Sequence, residues 1–372
     1  MASVFGGNRL IDLQNLGQSI WLGDLHRSLL AHAQLAHLIN TDGISGVTSD
    51  PTILAKAFAE DAAYRAPIAT LRAARATGEQ IYERLRVEDI SHAADLLRRV
   101  YKHTNGRDGY VSIGVSPTLA HDAHGTVSEA RRLWSAIDKP NVMIQVPATA
   151  SGLLAIRLLI AEGVSINATL IFGTRRYREV VEAYLLGLED RVAESRPLEH
   201  VASVASLSVS PIDALVDRQL DAIQHSEKIV HAQRLRGRVA VALARLAYQE
   251  YKGFITAPRW QPLAARHAQT QRLLWASTGT TDAHYSDVKY VNELIGRDTI
   301  NAMSMNTVNA FRDHGAAAPT LEKDLLEVAA LLGEVTTLGI NLEQVSMDLE
   351  REGLASFSAS METLLTQLGS AG

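Results

Sequence analysis

The chain has 372 residues, 47% of them hydrophobic, so it can bury a large core without covalent staples. It has no cysteine, which excludes disulfides, a thiolate nucleophile and any Cys-ligated metal. A formal charge of −5, a pI near 6.2 and the lack of any Lys/Arg run argue against a nucleic-acid binder. The N-terminal stretch "MASVFGGNRLIDLQNLGQSIWLGDL" lacks a basic segment followed by an unbroken apolar one. No apolar run approaches the roughly 18 residues of a membrane helix. The expectation is a cytoplasmic protein with no membrane partner.

In chain order, short apolar runs predict strands at Ser19–Leu25, Gly43–Ser49, Tyr110–Ser116, Asn141–Pro147, Ser165–Phe172, Val201–Val209, Arg272–Ser277 and Thr299–Ser304. Amphipathic stretches separate them, such as "GTVSEARRLWSAID" and "ASGLLAIRLLIAEG". The second carries Leu153, Ile156, Leu159 and Ile160 at helical spacing, with Gly163 placed to end the helix. Strand and helix alternating eight times is the pattern of an α/β (β/α)8 TIM barrel. Segments Thr320–Leu338 and Leu342–Leu368 read as additional C-terminal helices. Gln249–Gln269, with Pro258 and Pro262, reads as a long loop. No linker or fixed-period repeat interrupts the chain, so one barrel domain over residues 1–372 is expected.

Barrel chemistry sits at the C-terminal ends of the strands, and strand parity decides which side chains point inward. "SINATLIFG" puts Asn167 and Thr169 on one face, and "VASLSVSP" puts Ser206, Ser208 and Ser210 together. "LLWASTGTTD" brings Ser277 to a strand end, and "GVTSDP" ends in Thr48, Ser49 and Asp50. Singly, such residues are ordinary caps and turn formers, and Asp50 before Pro51 is also a plain helix cap. Together they predict a pocket lined by hydroxyls and amides. The run "PNVMIQVPATASG" adds Gln145 near the end of the fourth strand. His121 and His124 in "AHDAHG" have no third ligand in view, and His284 reads as structural, so no metal and no cofactor are expected.

The blocks "LGQSIWLGDLHRSLL", "GISGVTSDPTILAKAF", "VSPTLAHDAHGTVSEARRLW", "VMIQVPATASGL", "GVSINATLIF", "LLWASTGT" and "YVNELIGRDTIN", in this order, resemble the transaldolase family in its bacterial form. The resemblance covers nearly the whole chain. It implies a metal-free barrel of the class I aldolase type that transfers a dihydroxyacetone unit between sugar phosphates through a lysine Schiff base. It also implies a lysine where this sequence has Gln145, and an amide cannot form an imine. By the same resemblance, Gly23 stands for an Asp, with Asp24 one place later, and Gly114 for a Glu. Asp50 stands for an Asn, Pro211 for an Arg, Thr281 for a basic residue and Gly173 for a Ser.

These departures lead to an expectation that the site has been reassigned. Its catalytic candidates are Asp50, as an acid/base, and Gln145. Asp24, His26, Asn167, Thr169, Ser208, Ser210 and Ser277 are the expected substrate-binding residues, and Gly23, Gly114 and Gly173 the expected pocket openers. Elimination, cyclisation, isomerisation or group transfer on a larger, less anionic, hydroxyl-rich small molecule of specialised metabolism would follow. Two alternatives stand beside this: a catalytically silent relative that binds a ligand or partner, and a true transaldolase altered at its lysine, which Gln145→Lys would revive. None of the seven lysines, at 56, 102, 139, 228, 252, 289 and 323, falls at an inward strand end. Outer helices leave room for a homodimer, though no interface stripe stands out.

Overall fold

A computed structural model describes residues 7–49, 51–224, 226–280 and 282–369. Eight parallel strands close into a barrel in chain order: β1 (Gln18–Leu22), β2 (Ile44–Val47), β3 (Tyr110–Gly114), β4 (Val142–Pro147), β5 (Ile166–Ile171), β6 (Ser203–Ser208), β7 (Arg272–Ala276) and β8 (Thr299–Met303). Closure is made by β1 on β8, in register from Gln18↔Thr299 to Leu22↔Met303. All eight expected strands are present. Most end earlier than the sequence pattern suggests, because residues such as Leu25 and Ser116 have already left the ladder for the loops that form the mouth.

Local chemistry sets the helix ends. Thr149 caps the helix Ala150–Glu162 by accepting a hydrogen bond from Gly152 N at 2.9 Å. Gly163, at φ +96°, closes that helix in the left-handed conformation, as expected. The expected loop over Gln249–Gln269 is corrected: the helix Val239–Thr256 runs through its first part. Ala244, Ala247, Tyr248 and Tyr251 bury a continuous stripe there, and the helix stops only as Pro258 approaches. The penultimate helix is Leu325–Thr337, shorter than Thr320–Leu338, and the last is Leu342–Gly369. No single helix among the described residues is long and apolar enough to cross a membrane. The last two reach that length and composition only together, across an 83° bend.

The barrel interior is layered. At its lower end, Arg272 of β7 donates to Asp108 Oδ1 at 3.0 Å, to Arg107 O at 2.6 Å and to Ser19 Oγ at 2.8 Å. Trp21 Nε1 donates to the same Asp108 oxygen at 3.0 Å, and Ser19 Oγ donates to the other. Above this plug lies an apolar layer of Trp21, Tyr110, Met143, Val204, Leu274 and Ile300. Gly46 on β2 is required here, since a Cβ would collide with the Trp21 indole. The larger apolar core fills the shell between strands and helices. A separate one joins the helices Pro51–Glu60 and Gly78–His103 to the last helix through Phe58, Tyr82, Leu85, Met361, Leu364 and Leu368.

Removing Asp108 strands the buried Arg272 charge. Asp108→Ala should lower the unfolding free energy by about 3–5 kcal/mol. In a denaturant titration this appears as a lower midpoint at unchanged slope. Glu322→Gln, which breaks the exposed Lys252–Glu322 pair, should cost less than about 1 kcal/mol.

Candidate active site

A cavity of about 580 Å³ opens at the C-terminal ends of the strands. Gln145 reaches it from β4. Met143 and Gln145, two positions apart, share the inward face; Met143 sits in the apolar layer and Gln145, one step further along the strand, reaches the mouth. The amide is nearly buried, at 6% exposure, and its Nε2 donates to Thr48 Oγ1 at 2.7 Å. Asn167 is its register neighbour on β5. Asn167 Nδ2 donates to Ser112 Oγ at 3.2 Å, and its Oδ1 accepts from Ser206 Oγ at 2.6 Å. These three buried side chains tie β3, β5 and β6 together beneath the opening. Asn167 therefore holds the floor, while Thr169, Ser206 and Ser208 line the cavity.

Two residues at the mouth hold left-handed backbone without being glycine: Leu170 at φ +59° and Ser277 at φ +54°. Both line the cavity. At Leu170 the β5–β6 pairing slips between Ala168 and Ile171, a bulge that aims the leucine at the opening. Such conformations cost of order 1–3 kcal/mol each and gather at binding sites.

Several expected site residues are brought together here, and others are not. Gly23, Asp24, Thr169, Ser208 and Ser277 line the cavity with Gln145. Asp24 also accepts from Met305 N at 2.6 Å, at the start of the helix Met305–His314. A Cβ on Gly114 would find only Gln145 Oε1, at 3.5 Å, so the glycine leaves ordinary room beside the amide. Gly173 is not among the lining residues. A Cβ there would stand 3.2 Å from Ser346 Oγ, so it serves the close approach of the last helix rather than opening the pocket. Ser210 faces a smaller adjoining pocket of about 290 Å³. His26 is turned away as well: its ring caps the helix Arg27–Ala31 and meets Asp61 at 3.1 Å. Burial pushes the Asp61 carboxyl up, but hydrogen bonds from Ser28, Ala63 and His26 outweigh it and hold it at about 2. Asp50 and Thr281 lie outside the described residues.

Among the described residues no Lys, Arg or His lines the cavity, and no three potential metal ligands cluster. Lys56, Lys139, Lys252 and Lys289 pair with carboxylates elsewhere, and Lys102, Lys228 and Lys323 are exposed. Sequence reasoning missed the roof. Leu349, Glu352, Gly353, Ser356 and Phe357 of the helix Leu342–Gly369 line the cavity from above. The available signal was the run of small residues in "EGLASFSAS", which permits close packing against the barrel.

Eight parallel strands closed in chain order, with hydroxyl and amide side chains at the mouth, define a (β/α)8 barrel. Residues 20–368 match the family described as Transaldolase/Fructose-6-phosphate aldolase. The chain is 44% identical over 358 residues to the transaldolase of Thiobacillus denitrificans, covering 96% of this chain and 99% of that protein. Transaldolase 2 of Nostoc sp. is 42% identical over 369 residues, covering 97% of each. The transaldolase of Saccharopolyspora erythraea is 43% identical over 354 residues, covering 95% and 94%. The chain belongs to the transaldolase/fructose-6-phosphate aldolase family.

This overturns the expectation of a reassigned reaction in specialised metabolism. Identity above 40%, spread over nearly the whole of proteins named transaldolase, favours the family's own activity.

Beside the mouth, Asp213 is buried and accepts from Ala240 N at 2.8 Å and Tyr290 Oη at 3.0 Å. Burial raises its carboxyl to about 6 despite those bonds. The folded state thus holds this proton more tightly than the unfolded chain. The associated stability is full below about pH 4 and is lost as pH rises through about 6. Asp213→Asn should flatten that part of the stability–pH curve by roughly 2–3 kcal/mol, measured by thermal or urea unfolding between pH 4 and 8.

Proposed function

We propose that the cavity is a transaldolase site. Its substrates are sugar phosphates and its reaction the passing of a three-carbon ketol unit from one to another, a reaction whose covalent capture requires a lysine at position 145, where this chain has Gln145. Full-length identity to proteins named transaldolase carries this reading. Three features of the site support it. The side chain at 145 projects from the end of β4 into the cavity. Thr48 lies within hydrogen-bonding distance of that side chain, and Thr169, Ser206 and Ser208 offer further hydroxyls to a polyhydroxylated chain. The mouth also encloses the substrate between the strand ends and the last helix, which limits water around a reactive intermediate.

The chemistry of capture needs an unprotonated amine adding to a ketone carbonyl, and Gln145 offers an amide in that place. An ε-amine at 145 would occupy the volume of the Gln145 side chain and sit beside Thr48 and above Asn167. Partial burial there would favour its neutral, nucleophilic form.

The test is Gln145→Lys. The variant should transfer a three-carbon unit from fructose 6-phosphate to an aldose phosphate acceptor. Borohydride with fructose 6-phosphate should leave a stable mass adduct on residue 145. Turnover should exceed that of the unsubstituted chain by a factor on the order of 10⁴ or more, the scale of losing a covalent catalytic group. A correctly folded Gln145→Lys variant with neither adduct nor transfer would overturn the reading.

A further inference from the structure

We infer that the N-terminal end of the barrel, opposite the mouth, carries a second ligand site that takes a small phosphorylated polyol. Two cavities lie there, of about 510 and 460 Å³, and they share Asn15 and Arg297. The first is lined at the starts of β1 and β2 by Gln18, Ser19 and Ser45, and by the turns that lead into β3 and β8. The second is lined by Tyr248, Gly296, Pro319 and Lys323. The site does not depend on the reaction at the mouth.

Charge selects the ligand. The carboxylates that line the two cavities are already paired: Asp108 with Arg272 at 3.0 Å, Asp298 with Arg107, and Glu322 with Lys252. Two lining cations remain. Arg297 and Lys323 make no ion pair and no side-chain hydrogen bond with the described residues. A phosphate monoester is close to a dianion at neutral pH, so it matches two cations where a monocarboxylate matches one. Its oxygens also suit the planar donor fork of an arginine. A nucleic-acid strand needs a longer row of free cations, and the whole chain carries a formal charge of −5.

Arg297 is held in place for this. Its carbonyl accepts from Tyr248 Oη at 3.0 Å, and its stem lies against Gly17, where a Cβ would stand 3.0 Å from Arg297 Cγ. Gly17 O in turn accepts from Asp298 N at 3.0 Å. Asp298 holds left-handed backbone at φ +60°, and its pair with Arg107 pins it there. The polyol end finds its partners in the first cavity. Gln18 is 1% exposed; its Nε2 donates to Leu294 O at 2.7 Å and Thr299 Oγ1 at 2.9 Å. Its Oε1 receives no donor among the described residues. A buried acceptor without a donor is costly, and a ligand hydroxyl supplies one. Asn15, common to both cavities, offers an amide to the remaining hydroxyls.

The test is calorimetric titration of the intact chain with glycerol 3-phosphate, inorganic phosphate and glycerol, together with crystals soaked in glycerol 3-phosphate. Glycerol 3-phosphate should bind about 10-fold or more tighter than inorganic phosphate, and glycerol alone should give no heat. Arg297→Gln should weaken glycerol 3-phosphate by about 10-fold or more, and Lys323→Gln by a similar factor. Lys323 is exposed, so its substitution probes the site without disturbing a packed contact. Arg297→Lys, which keeps stem and charge, should retain most of the affinity. Glu322→Gln removes a lining carboxylate and should tighten binding about 3-fold, a direction that mere destabilisation does not give. Lys139→Gln, at an exposed lysine paired with Asp95, should match the parent. Soaked crystals should show the phosphate against Arg297 and Lys323. No heat from glycerol 3-phosphate at millimolar concentration, an unchanged affinity in folded Arg297→Gln and Lys323→Gln chains, or a phosphate seated in the mouth instead would overturn the site. Equal affinity for glycerol 3-phosphate and inorganic phosphate would overturn the polyol assignment.

Discussion

Closing β1 onto β8 leaves a single column of space inside the barrel, and every inward side chain competes for it. Trp21 takes so much of the middle that its neighbour on β2 must be Gly46. Beneath it, Arg272 can be buried only because Asp108, Ser19 and a backbone carbonyl receive its donors. With the lower layers filled, polar inward residues collect at the upper end, and that end becomes the cavity. The site is what remains when a closed sheet has packed the rest of its interior.

The same constraint explains the behaviour of Gln145. It stands two positions beyond Met143 on the same inward face, so it occupies the next layer up, at the mouth. Its neighbours are fixed by register: Gly114 on one side, Asn167 on the other. The hydrogen bond to Thr48 then sets the orientation of its amide. Asn167, Ser112 and Ser206 form a rigid floor, because each polar atom is used by the next. Such a floor supports whatever side chain stands at 145, and of its three members only Ser206 also lines the cavity.

The strands were legible because alternation of apolar and polar residues has a period that no helix shares. Their ends were less so: β3 stops at Gly114 although Val115 N still donates to Gln145 O at 3.2 Å, and the sequence pattern does not register where the ladder gives way to loop. Within the site, parity correctly placed Gln145, Thr169 and Ser208. It missed at Ser210, past the end of β6, which faces the adjoining pocket; His26, expected from its place after the first strand, is held by Asp61, and Gly173, expected from the family resemblance, packs against Ser346. The loop reading of Gln249–Gln269 failed because two prolines downstream outweighed the buried stripe of Tyr248 and Tyr251. The inference from missing charges to a new reaction failed for a related reason. It weighed a handful of positions against a similarity spread over 358 residues.

By itself, the sequence determined the barrel, its strand order, the inward amide at 145 and the family, since periodicity, parity and ordered motifs are local or linear properties. Only the tertiary structure decided what covers the mouth. Glu352 reaches the cavity because a helix that begins well past β8 folds back over β5 and docks on the helices after β2. That contact depends on a bulge at Leu170, a glycine at 353 and ion pairs between residues far apart in the chain, as between Arg176 and Glu350. No spacing rule within the chain encodes such a meeting; only packing in three dimensions brings the two surfaces together.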